Sequence, residues 1–302
     1  LDLIAQISSL GVPIVLACRS FDWKYDYRLK QVQQDRTKIF TLSEFNDEQL
    51  AKILSVCSLK LTDLHPLMIK VVRCPLRLKM FIEVVQEKRK IEPGWVPHNA
   101  IYTLQALYQD FWDLKMNKAL LDGIDTADYE AIMVDLVQKM HDSELTSVPE
   151  SAVTGRQPTK DWLISEGILR RDEKLLSFFH QTFFDFMFAR WFVGNNQSLV
   201  EHLLASDQGL FYRPMVRQIL EYLRNVNYRR YLCELRGILR NQNIRKHLRW
   251  LTMEWLGHHQ EPTNEELALL EPFLIKDETR RKVLDCLRGN PAWFDRLTAK
   301  RF

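Results

Sequence analysis

Arg19, Pro75, His180 and an arginine-rich stretch ending at Arg249 are the residues whose type and setting suit chemistry. Arg19 closes an apolar run, VPIVLAC at 12–18. An arginine at a strand end grips phosphate or carboxylate oxygens through its fork of donors, and a structural ion pair is its competing role. Pro75 stands in RCPLRL at 73–78, where a proline is also simply a good first residue of a helix. His180, between Phe179 and Phe183, is either a packed core histidine or a group whose charge responds near neutral pH. Arg236, Arg240, Arg245 and Arg249 belong to the stretch 224–249, which holds eight Lys or Arg and a single acid, Glu234. Such a face suits phosphates. Tyr222, Tyr228, Tyr231 and Trp250 are interleaved with it, placed either to stack on bases or to pack at helical spacing.

Other chemistries find little to work with. His258 and His259 are adjacent, so on a helix they point about 100° apart and do not share one metal ion. There is no CxxC or HExxH, and no GxxxxGK[ST] or GxGxxG phosphate cradle. Cys18 has no evident base beside it.

Composition frames these residues. Of the 302 residues 46% are hydrophobic and 27% charged, enough for a large buried core. Five scattered cysteines form no disulfide framework, so a reducing, cytoplasmic setting is expected. No apolar run approaches the ~18 residues of a membrane span. The first ten residues carry no basic n-region, so no signal peptide is expected.

The elements that must position these groups read as mostly helical. A helix is expected over 1–10, a buried strand over 12–18 and a second strand over 38–42. Two strands cannot make a sheet alone, so the rest of that sheet is expected before Leu1. Helices follow at 48–56, around 65–68, and over 73–90, and the breaker cluster at 93–97 marks a subdomain boundary. Helices at 100–118 and 127–141, short ones at 149–153 and 159–166, and a hairpin over 167–179 with a charged turn make a winged-helix pattern. The aromatic segment 181–193 is apolar almost all round and should be a buried helix. From 198 onward, helices at 199–205, 212–224, 228–240, 244–256, 265–274, 278–287 and 293–299 suggest a loose solenoid of helical pairs.

Three of these segments carry a family resemblance. VPIVLACRS (12–20) resembles the sensor strand and arginine of the STAND class of P-loop ATPases, the NACHT type in particular. RCPLRL is similar to that family's nPLxL element, and FFHQTFFDFMFAR (178–190) to its FxHxTFQEFxAAR. Cys74 stands where Asn or Gly is usual before the proline, and Asp185 where Glu is usual.

The resemblance implies a division into a remnant of the P-loop sheet (1–42), a helical domain (43–97), a winged helix (98–193) and HEAT-like repeats (194–302). It implies that Arg19 reads a terminal phosphate, that Pro75 packs on an adenine and that His180 latches ADP. ATP or ADP and Mg²⁺ would be the cofactors of the intact protein. The function implied is a nucleotide-dependent switch in immune or antiviral defence that oligomerises with copies of itself when activated. Its partners would be an upstream P-loop domain and an unknown protein ligand sensed by C-terminal repeats, with no membrane involved. With neither Walker motif in the sequence, no ATP hydrolysis is expected from these residues alone. The rival readings are a nucleic-acid-binding winged-helix and repeat protein using Arg236, Arg240, Arg245 and Arg249, and a pure interaction scaffold.

Overall fold

The computed structural model describes residues 14–15, 38–97, 103–209 and 212–300. Arg19 and the helix expected over 1–10 lie outside the described residues. Ile14 and Val15, the described part of the 12–18 strand, are irregular and exposed, and so are residues 38–42. The second strand expected at 38–42 is therefore not formed. A strand exists only through pairing, and the one sheet among the described residues is built elsewhere.

That fold is mostly helical, with fourteen α-helices among the described residues and one small sheet. Helix α1 (Asp47–Val56) starts at a capping box in which Asn46 and Gln49 satisfy one another's backbone N–H groups. Helices α2 (Pro66–Val72) and α3 (Pro75–Ile91) both begin with proline, whose missing N–H is no loss in a first turn. Arg89 near the end of α3 donates to the carbonyls of Cys57, Ser58 and Trp95, tying the small bundle to the breaker cluster after it.

Thr103 and Asp125 cap α4 (Leu104–Leu121) and α5 (Thr126–Asp142). The short helix expected at 149–153 is instead strand β1 (Val148–Pro149) followed by one 3₁₀ turn. It differs because Val148 pairs with Leu176 of β3 (Leu175–Phe178), a partner that no local pattern reveals. β2 (Leu169–Asp172) pairs with the other edge of β3, giving the antiparallel order β1-β3-β2. Helix α6 (Gln157–Ser165) precedes β2, and α7 (Gln181–Gly194) follows β3.

α7 is the hub. It packs on α4, α5, β3 and α9 (Tyr212–Val226), so its apolar residues point in every direction and are buried. The Phe183 ring meets Tyr108 at 5.6 Å, Phe111 at 5.8 Å and Phe179 at 5.0 Å. Edge-on and tilted aromatic pairs of this kind add to simple burial.

After α8 (Leu199–Ala205) and α9 come α10 (Tyr228–Arg240), α11 (Lys246–Gly257), α12 (Asn264–Ile275), α13 (Asp277–Leu287) and α14 (Pro291–Ala299). From α8 to α13, helices two apart in sequence pack together: α8 with α10, α9 with α11, α10 with α12 and α11 with α13. Gly257 lets α11 and α13 touch, since a Cβ there would sit 1.9 Å from the Cys286 carbonyl oxygen. Among the described residues no helix is long and apolar enough to cross a membrane.

Candidate functional site

Pro75 and His180 each stand exposed at a helix start. Pro75 is the first residue of α3. His180 is the N-cap of α7, its Nδ1 accepting from the Thr182 N–H at 3.1 Å. Helix starts carry unpaired N–H groups and the positive end of the dipole.

Tyr108 of α4 is hydrogen-bonded to the start of α7. Its hydroxyl lies 2.5 Å from Thr182 Oγ1, and Thr182 Oγ1 lies 2.9 Å from His180 Nδ1. Burial pushes the Tyr108 phenol up, while Thr182 and the charge of Arg77 pull it partway back and Cys74 and Asp185 push it further. Arg77 and Cys74 belong to RCPLRL and Asp185 to the α7 motif, so the two segments act on one hydroxyl.

Behind this link lies a seam of charges. Burial lifts the Asp185 carboxyl to about 6, against the Gln181 hydrogen bond and the Arg217 charge. Burial likewise raises Glu221 on α9, opposed by Arg217, Arg224 and Arg77. The seam therefore holds two carboxyls with weakened acidity beside three guanidinium groups, Arg77, Arg217 and Arg224. Tyr108, Arg217 and Glu221 had no signal in the sequence, because their relations to Thr182, Asp185 and Arg77 span separate helices.

Groups of the kind that contact an adenine nucleotide stand at the two helix starts. The proline face and the imidazole are exposed, each at its own helix N-terminus, and Arg77 is half-buried in the first turn of α3. Among the described residues, no group of three or more His, Cys, Asp or Glu is placed to hold a metal ion.

The basic stretch 224–249 is divided by the fold. Arg224 is bound to the buried Glu266, with Nε at 2.8 Å from its Oε1, and to the Glu261 carbonyl. Arg230 donates to the carbonyls of Val193 and Gln197. Glu234, the single acid, is buried and accepts from the Val200 N–H at 3.0 Å. What remains is a stripe on the outer face of α10, with Arg229, Arg236 and Arg240 exposed, and a separate group at the start of α11. That group holds Arg245, Lys246 and the half-buried Arg249. The single face that the sequence suggests is thus two, because two of its arginines serve the core. Tyr222 and Tyr231 are buried and packed rather than presented for stacking.

The charged residues of α6 are also committed internally. Lys160 is buried and bonds to the Val153 carbonyl, and Asp161 and Glu150 both bind Arg171. Glu166 binds Lys115 and Lys118, and Lys115 also binds Glu83 of α3. This chain of ion pairs joins the small bundle to the α4–α6 unit across the breaker cluster. His258 Nδ1 lies 2.6 Å from the Glu254 carbonyl oxygen, whereas His259 is half-buried 3.6 Å from Glu266, so the adjacent histidines face different surroundings.

No protein-family model matches the chain, and no curated protein matches it.

Proposed function

We propose that this chain is the control portion of a nucleotide-dependent switch of the STAND, NACHT-like type, with α1–α3 as its helical domain and α4–β3–α7 as its winged helix. α8–α14 would be the start of a helical-repeat sensor. The observation that carries the reading is the exposure of Pro75 and His180, each at a helix start. Tyr108 of α4 reaches His180 through Thr182. The order α4, α5, α6, then the β2–β3 hairpin with β1 on its open edge, supports the winged-helix reading. Neighbour-to-neighbour packing from α8 to α13 supports the repeat reading.

In this reading Pro75 offers an apolar face to an adenine ring, and His180 and the α7 N-terminus face phosphate oxygens. A bound ADP would supply the charge that holds these two helix starts against a phosphate-binding domain. The residues of this chain do the rest. Thr182 fixes the imidazole through Nδ1, and Tyr108 fixes Thr182, so any pull on α7 is felt at α4. Neither Walker motif is among the 302 residues, so the assigned role is control of bound nucleotide in a defence-type switch that oligomerises when released, and not hydrolysis.

Two measurements test it. The purified 302-residue chain should show no ATP turnover above buffer, and turnover would remove the control-only role. In the gene's full product, His180→Ala should speed release of a fluorescent ADP by at least ~10-fold without changing the melting temperature. Unchanged release would sink the latch.

A further inference from the structure

A cavity of about 370 Å³ opens between the start of α11 and the α12–α13 junction, away from Pro75 and His180. Lys246, Arg249 and Lys282 line it, with Glu278 as the one carboxylate of the lining. None of these three cations has an ion-pair partner among the described residues, which distinguishes them from Arg224, Arg171 and Lys115. The Arg249 Nε is buried with no hydrogen-bond acceptor. A buried donor left unpaired costs about 1–3 kcal/mol, and an anionic oxygen would relieve it. Trp250 and Phe273, half-buried, supply flat apolar walls, and the Lys282 ammonium rests 5.4 Å from the Trp250 ring centroid. The volume suits one small molecule rather than a duplex groove.

From this combination we infer a second ligand site in the repeat region, for a phosphorylated small molecule with an aromatic body, the chemistry of a nucleoside phosphate. The phosphate pairs with Lys246, Arg249 and Lys282, and the ring lies against Trp250 and Phe273. Occupancy adds a bridge between α11 and α13, helices already packed at Gly257 and through Lys282 over Trp250, so binding stiffens the repeat stack. This site stands whether or not the helix starts at Pro75 and His180 hold a nucleotide.

Isothermal titration of the 302-residue chain with AMP, ATP, adenosine and inorganic phosphate tests it. Lys246 and Lys282 are exposed, so the double variant K246Q/K282Q keeps its core, which a melting curve checks. AMP or ATP should bind with Kd below ~1 mM and at least ~10-fold more tightly than adenosine or phosphate. K246Q/K282Q should weaken that binding by ~10-fold or more, while P75A/H180A leaves it unchanged. No binding by the unaltered chain, indifference to K246Q/K282Q, or phosphate binding as tightly as AMP would each overturn the site. Tighter, steeply salt-dependent binding of a single-stranded oligonucleotide would replace it with a polymer-binding face. Loss confined to P75A/H180A would also overturn it, while supporting the proposed switch.

Discussion

The α4–α7 unit and the α8–α14 stack are both helical, but they are held together differently. In the first, rings do the work: Phe183, Phe186 and Phe192 are fully buried among Tyr108, Phe111, Phe178 and Tyr222. In the second, a buried carboxylate ties three helices. Glu266 is fully buried on α12, accepts from Arg224 of α9 and from the Tyr231 hydroxyl of α10 at 2.7 Å, and caps its own helix through the Thr263 N–H. Aromatic packing has no charge to titrate. A buried carboxylate does, and its value depends on every partner staying in place.

The unit containing α7 carries an opposite electrostatic device. Burial raises Asp185 to about 6, so its ionised form is a burden. Burial alone would also raise Glu266, but His259, Arg224 and Tyr231 outweigh it and hold the carboxyl at about 2. One acid therefore weakens the native state at neutral pH and the other strengthens it.

The largest effects break the contrast at its two centres. Phe186→Ala should destabilise by about 3–5 kcal/mol through loss of burial and a cavity, by the same amount at pH 7 and at pH 4 in urea unfolding. Glu266→Gln should cost about 3 kcal/mol at pH 7, because the half-buried Arg224 is left with an uncompensated charge. The sign of its pH dependence follows from the lowered pKa. Stability from Glu266 is complete above the unfolded value of 4.5 and is lost as pH falls toward 2. The deficit of E266Q should therefore shrink over that window, and a constant deficit would mean that packing, not charge, holds the three helices.

Gly257→Ala should cost about 1–3 kcal/mol, since the added methyl meets the Cys286 carbonyl and forces α11 from α13. A neutral outcome would show that the stack yields more easily than the aromatic unit. The smallest effect carries the opposite sign. Asp185→Asn should stabilise by on the order of 1 kcal/mol at pH 7.5 and by less at pH 5. The raised pKa makes the native acid most favourable below 3.8 and progressively unfavourable as pH rises through 6. A stabilisation that does not change between these pH values would remove burial of the charge as its cause.

Much of the fold is legible in local spacing. The helix over 228–240 and the one over 199–205 begin and end where the periodicity places them, and the apolar circumference of 181–193 correctly marks a buried hub. The failures share one cause. Residues 38–42 have strand composition without a paired strand, and 149–153 has a helix-start proline beside a strand that captures it. Pairing is a property of two segments, and neither segment encodes it alone.

By itself, the sequence determined the helices, their caps and the apolar face of each, because these rest on relations three or four residues apart. Only tertiary structure decided that the Tyr108 hydroxyl would meet Thr182 beside His180, 74 residues away in the chain. Tertiary structure likewise spent Arg224 on Glu266 across 42 residues while leaving Arg249 and Lys282 beside a cavity. An arginine's charge is the same in every such place. What the fold adds is the partner, and the partner decides whether that charge supports the core or waits for a ligand.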